Sequence, residues 1–268
     1  SIPEGSNKYQ NLNWGGQELN QLAVTTDINN ISYDLAIIGD YIYSASWAGG
    51  IRRFKFQDFE PGLPDEDLNP WEAIPLPMDN QFTLECGLIE LDLYELNPND
   101  PGNGGSHNHK GFSVYSYNDS IIWVGTAGGI NKGVINNTTN CIDWEHYTSL
   151  NHGFSGNWII GFNYQATIDR IWAITWSTGG IEKNALSFSD DGGLTWDVPY
   201  QLEELNIQFY NVFIKNDIIY ASSKEGLWIS YDGLNWAQMP SIISNDGQQI
   251  LSNIVFSSIV LNDLDENL

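Results

Sequence analysis

The residues able to do chemistry sit in a few short strings. His107-Asn108-His109 places two imidazoles two positions apart, after a loop that carries Asn97, Asn99, Asp100 and Asn103. Imidazole nitrogens suit a transition metal, and the oxygens suit calcium. The spacing fails the EF-hand pattern, which needs a glycine at its sixth place and a glutamate at its twelfth. The loop therefore reads first as polar, with no metal assigned and calcium as the single cofactor worth testing. Trp47 in SASWAGG and Trp176 in AITWSTGG form a second pair. A loop tryptophan on a rigid scaffold can stack on a sugar or anchor a protein partner, and the plain alternative is packing between sheets. Trp47, Trp176, His107 and His109 are the predicted ligand contacts. His146 and His152, like the other two histidines, have no nucleophile signature nearby, and no glycine-rich phosphate loop occurs. With 34 acidic residues no carboxylate pair can be singled out, so no catalytic residue is assigned.

A third kind of string is built to shape the chain. Ser189-Asp190-Asp191-Gly192-Gly193-Leu194-Thr195-Trp196 combines a carboxylate, glycines and a closing tryptophan. Ser230-Tyr231-Asp232-Gly233-Leu234-Asn235-Trp236 is the same device one residue shorter. The aspartate accepts backbone N–H groups, the glycine takes a conformation closed to other residues, and the tryptophan plugs between strands. Their predicted role is structural.

These strings belong to a repeat. The stretch 218–236, IIYASSKEGLWISYDGLNW, runs strand, small-residue turn, strand, Asp-Gly turn, tryptophan. Tyr43, Trp123, Trp172 and Tyr220 hold equivalent places in successive copies, and the copies close on Trp71, Trp144, Trp196 and Trp236. Four short strands joined by Gly-Asp, Asn-Asp and Gly-Gly turns, at this period, are the signature of a propeller blade. One four-stranded meander cannot bury both faces, whereas blades packed side by side can. The predicted fold is an all-β propeller of four-stranded antiparallel blades over 31–268, after an entry segment at 1–30. The blades cover about 34–77, 111–149, 158–200 and 208–240, with a partial fifth at 250–268. An insertion occupies 78–110 and contains a strand-like run at 89–93; a shorter one lies at 57–70. Because strands alternate direction, Trp47, Trp176 and the 78–110 connection are expected on one face and the Asp-Gly turns on the other. Four copies and the start of a fifth predict a piece of a larger polypeptide.

The eight-residue string 189–196 matches S-x-D-x-G-x-T-W and resembles the Asp-box of the bacterial neuraminidase repeat families; 230–236 is a shortened variant. The first two copies keep the tryptophan and lack the serine and aspartate. Ile122-Trp123-Val124-Gly125-Thr126-Ala127-Gly128-Gly129-Ile130 is similar to the repeat of two-component-regulator propellers, and 152–158, HGFSGNW, resembles the linker between such blades. Together the patterns cover most of 34–240. The resemblance implies a bacterial propeller exported from the cytoplasm within a larger surface or secreted protein. Sialidases with the same box hold their substrate carboxylate with three arginines. Arg52, Arg53 and Arg170 are all this chain has, and Arg52 and Arg53 are strand neighbours that point to opposite faces.

Composition narrows the partners. A formal charge of −24 repels nucleic acid and anionic headgroups, and no apolar run reaches 18 residues, so no helix-type membrane insertion is expected. Cys86 and Cys141 can form one disulfide, but two cysteines leave their redox state open. The functional expectation is a non-catalytic extracellular or cell-surface binding or scaffolding unit, with a glycan or another extracellular protein as ligand. The alternatives are a glycoside hydrolase with catalytic residues partly outside this chain, and an extracytoplasmic sensor propeller.

Overall fold

The computed structural model describes residues 11–14, 17–20, 31–47, 50–56, 71–88, 107–240 and 253–258. The chain divides into two compact units, 1–152 with 157–162, and 153–156 with 163–268. Both are built from antiparallel sheets.

In the first unit β1 (Asn11–Trp14) and β2 (Gln17–Asn20) form a hairpin. The first repeat follows as a four-stranded sheet in chain order, β3 (Ser32–Ile38), β4 (Tyr41–Ser46), β5 (Gly50–Lys55) and β6 (Glu72–Ile74). The next strand, β7 (Thr83–Leu84), falls inside the 78–110 insertion and adds to the edge of the second sheet. The remaining strands of that sheet are β8 (Gly111–Asn118), β9 (Ile121–Thr126), β10 (Ile130–Ile135) and β11 (Ile142–Tyr147), giving the order β7-β11-β10-β9-β8. Cys86 and Cys141 are joined in a disulfide that ties the segment after β7 to the turn before β11. The predicted run at 89–93 lies outside the described residues.

Alternation explains the core of this unit. Tyr43, Ala45, Ile51, Ile74, Val114, Ile122, Val124, Ile142 and Trp144 are buried together from both sheets. Small contacts set how the sheets meet: the Asp34 carboxylate accepts the Val114 N–H at 3.0 Å, and Arg53, paired with Glu72 at 2.8 Å within its own sheet, also donates to Asn140 O. Gly125 shows why its string needs a glycine, because a Cβ there would lie 2.4 Å from the Ile159 carbonyl oxygen. A one-turn helix, α1 (Ser149–His152), leads on to β12 (Trp158–Gln165).

The third repeat is a three-stranded sheet of β12, β13 (Arg170–Trp176) and β14 (Ala185–Ser189), with the second unit taking up the chain from residue 163. The fourth strand expected at 196–198 is reduced to a single bridge between Phe188 and Asp197. A short helix, α2 (Tyr200–Leu205), takes the chain onward, with buried Leu202 beneath it and Asn206 closing it in the left-handed conformation. The fourth repeat is a full sheet of β15 (Phe209–Lys215), β16 (Ile218–Ser223), β17 (Gly226–Ser230) and β18 (Trp236–Gln238). Tryptophans carry the core: Trp172 packs against Phe188 at 5.1 Å and meets Trp236 edge-on at 6.0 Å. Of the predicted partial repeat, residues 253–258 are described; they form no regular strand, and Val255 donates its N–H to Ser223 O.

Candidate functional site

Each full sheet opens with the same irregularity. The register of the first strand against the second slips between Ser32 and Asp34, between Gly111 and Ser113, and between Phe209 and Asn211. The residue skipped is aromatic every time: Tyr33, Phe112 and Tyr210. A bulge leaves one residue unpaired and re-aims its side chain, a device common beside functional sites. Nothing in the strand periodicity marks it. The repeated signal is an aromatic one residue into the first strand.

In the first unit the re-aimed rings meet a second set. Phe112 lies 5.6 Å from Tyr33 and 5.5 Å from Trp158. Trp47 follows the second strand of the first repeat, and its ring packs 5.3 Å from Phe112 and 6.2 Å from Trp158. The Lys110 ammonium stands over the Trp47 ring, 5.0 Å from its centre. Trp47 is half-buried inside this cluster.

The second unit repeats the arrangement with fewer members. Trp176, at the end of β13, donates its indole N–H to Phe209 O at 2.6 Å, which fixes the ring plane. Its ring meets Tyr210 at 5.6 Å and 78°. Tyr210 in turn lies 5.0 Å from Phe256, which is 67% exposed. The result is a row of three aromatic rings at the surface. Sequence reasoning found Trp176 and missed Tyr210 and Phe256.

The His-Asn-His string separates. Asn108 is fully buried, and its amide joins Pro77 O, Asn131 Oδ1 and the Thr126 hydroxyl. Asp79 accepts the backbone N–H groups of His107 and Asn108. His109 is only 3% exposed while His107 faces solvent, so the string does not present two imidazoles outward. Among the described residues no group of three or more His, Cys, Asp or Glu is placed to hold a metal ion. Asn97, Asn99, Asp100 and Asn103 lie outside them.

The two Asp-Gly turns share one wiring. In 189–196 the Ser189 hydroxyl accepts the Gly193 N–H and donates to Asp191, which also accepts the Thr195 N–H and hydroxyl; the Trp196 indole donates to Gly193 O. In 230–236 the Ser230 hydroxyl accepts the Gly233 N–H, Asp232 accepts from Leu234 and Asn235, and the Trp236 indole donates to Gly233 O. Slight desolvation raises the Asp191 carboxyl, but hydrogen bonds from Thr195, Ser189 and Leu194 outweigh it and hold the group down at about 2. Asn235 and Leu234 hold Asp232 well below the usual carboxylate range. In the second repeat Asn136 does similar work, its side chain accepting the N–H groups of Thr138 and Thr139.

The arginines are spread apart. Arg53 is buried and paired with Glu72. Arg170 makes a two-pronged contact with Asp190 at 2.6 and 2.7 Å and covers the Phe188 ring at 4.0 Å. Both guanidiniums are thus committed to the protein's own carboxylates. Arg52, on the other face of β5, is half-buried, and its Nε is buried without a partner among the described residues.

No protein-family model matches the sequence, and no curated protein matches it either. Solved structures do resemble it. Two of them are of the extracellular domain of one B. thetaiotaomicron protein, described once as a hybrid two-component system and once as a one-component system. The first is 13% identical with a TM-score of 0.54 and the second 12% identical with 0.52. Each match covers 95% of this chain and 29% of that chain, so the present chain spans less than a third of their length. The likeness is one of fold: the chain is an all-β propeller built from antiparallel sheets of three to five strands, each on the four-stranded repeat plan.

Proposed function

We propose that the chain is a non-catalytic binding module, exported as part of a larger bacterial surface or secreted protein, and that it holds a glycan or protein partner on the aromatic row of Trp176, Tyr210 and Phe256. The observation that carries this reading is the row itself. Three rings are lined up at a bulge that turns Tyr210 out of its ladder, and the last of them stands exposed. A large exposed aromatic costs solubility unless it meets something, and such residues dominate recognition surfaces. Two further points favour binding without chemistry. Arg53 and Arg170 are paired internally, which leaves no free arginine cluster for an anionic sugar. Asp191 and Asp232, the depressed carboxylates of the Asp-box-like turns, are spent on backbone N–H groups, so their role in this reading is to shape the turn. Export agrees with the extracellular domains that share the fold.

The test is a titration of the chain with a panel of neutral and charged oligosaccharides and with basic and acidic peptides, followed by tryptophan fluorescence. Saturable binding that falls at least tenfold in Trp176→Ala and in Phe256→Ala, with unchanged circular dichroism and no product formed, is the expected outcome. Binding untouched by both substitutions removes the row from the function, and product release would make the chain an enzyme.

A further inference from the structure

The two halves of the molecule give the row an internal reference. Trp47 and Trp176 close the second strand of the first and third repeats, and each packs against the bulged aromatic of the following repeat, Phe112 and Tyr210. Lys110 stands two residues before Phe112, and Gln208 stands two residues before Tyr210. The backbone confirms the equivalence: Lys110 O accepts the Ala127 N–H, and Gln208 O accepts the Lys224 N–H, each just past the second strand of its sheet. At the first of these positions the protein places its own ammonium over the tryptophan. At the second the same place holds an uncharged amide side chain, and neither Lys183 nor Lys224 in the flanking turns stands over Trp176.

Resting on the reading of the row as a binding surface, we propose that Trp176 takes from a ligand the cation that Lys110 supplies to Trp47, so that the row recognises an organic cation: a lysine or arginine side chain of a protein partner, or a free quaternary ammonium. The face of an aromatic ring carries negative charge density, and a cation within about 6 Å of its centre is attracted to it. Trp176 and Tyr210 meet at 78°, a corner with two walls, where a sugar ring would favour a flat platform. The Trp176 ring cannot swing away, because its N–H is held by Phe209 O. The surrounding field has the right sign. Residues 153–156 and 163–268 carry fourteen acidic side chains against four basic ones, and Arg170 among the latter is already neutralised by Asp190.

The experiment titrates the full chain with choline, with its neutral carbon isostere 3,3-dimethylbutan-1-ol, with lysine- and arginine-containing peptides, and with a neutral oligosaccharide. The Trp176 indole resonance reports occupancy of the site. Choline or a basic peptide is expected to bind about tenfold more tightly than the neutral isostere. Gln208→Lys, which installs the ammonium found in the second repeat, is expected to abolish that binding while leaving the spectrum of the fold unchanged. Binding of choline and peptide alike assigns a general cation site; binding of the peptide alone identifies a protein partner, and of choline alone a small-molecule ligand. Equal binding of choline and isostere, or full binding in Gln208→Lys, overturns the proposal. Binding of the oligosaccharide at Trp176 without any cation binding overturns it too, yet leaves the row as a binding surface. Silence of the Trp176 resonance toward every ligand defeats both.

Discussion

Trp47 and Trp176 occupy the same step of the repeat, and their surroundings differ in one direction. Trp47 touches rings from the two repeats that follow it and has a lysine over its face. Among the described residues Trp176 touches one ring, and the row it starts runs out to solvent at Phe256. The turns that close the outer strands differ in the same sense. In the first unit the turn before β11 is fastened by the Cys86–Cys141 disulfide, whereas in the second unit the turns rest on Asp191 and Asp232 and their hydrogen bonds. A repeat thus supplies one geometry twice, once filled from within by Lys110 and once, on the reading proposed above, open to a partner.

The largest expected effect breaks the covalent side of that comparison. Cys86 and Cys141 are 55 positions apart, and closing a loop of that size removes roughly 4 kcal/mol of chain entropy from the unfolded state. Cys141→Ser should lower the denaturant midpoint of the first unit by a corresponding amount and leave hydrogen-exchange protection of β15–β17 as it was. Equal loss of protection in both units would show that they unfold as one.

Next in size come the tryptophans. Trp47→Ala deletes a ring enclosed by two others and should cost about 3 kcal/mol of stability. Trp176→Ala, which loses the Tyr210 ring contact and the indole hydrogen bond to Phe209 O, should cost about 1–2 kcal/mol. The order of the two midpoints in urea is the measurement, and a larger loss at Trp176 would reverse the assignment of which site is filled.

Much of this architecture is legible in the residues themselves. Of the four equivalent positions Tyr43, Trp123 and Trp172 are buried on central strands, because one alternating position per blade must face a neighbour, while Tyr220 is half-buried. The closing tryptophans follow with one exception: Trp144, Trp196 and Trp236 are buried, while Trp71 precedes its strand and is partly exposed. What escapes is whatever depends on a partner's register. A bulge is a relation between two strands, so Tyr33, Phe112 and Tyr210 look like ordinary strand residues in one dimension. β7 is two residues long and pairs with β11 some sixty positions away, too short to leave a period. The helix α2 did leave a signal, with Pro199 before it, Leu202 and Leu205 one turn apart and Asn206 at its end. The expectation of a fourth strand from Trp196 competes with that signal, and the Pro199 ring decides it, since proline cannot continue a ladder. At the site, one residue of the row was visible because a tryptophan beside a glycine turn stands out. Its two companions come from other repeats, and only the fold brings them together.

The smallest effect separates the units by acid. Burial holds the His146 imidazole below its ordinary value of 6.5, against the pull of Gln81 O at 2.9 Å, Gly128 O at 3.1 Å and the nearby Asp79 carboxylate, with His152 acting in the same direction as burial. A histidine kept neutral in the folded state stabilises it above about 6.5. That contribution fades as pH falls toward the lower folded value, because the unfolded chain takes up the proton more readily. Asp191 works in a lower window. Its pKa of about 2 lies below the ordinary 3.8, so its contribution is present above about 4 and is lost as pH falls from there to about 2. Acidification should therefore begin to loosen the first unit as pH falls below about 6.5, while the Asp-Gly turns of the second hold until below about pH 4. Hydrogen exchange at a series of pH values reads both, at the amides of β10 and β11 and at those of Gly193 and Thr195. His146→Gln keeps an amide donor for one of the two carbonyls and cannot titrate, so it should erase the upper step and leave the lower one; an upper step that survives the substitution would place its origin elsewhere in the first unit.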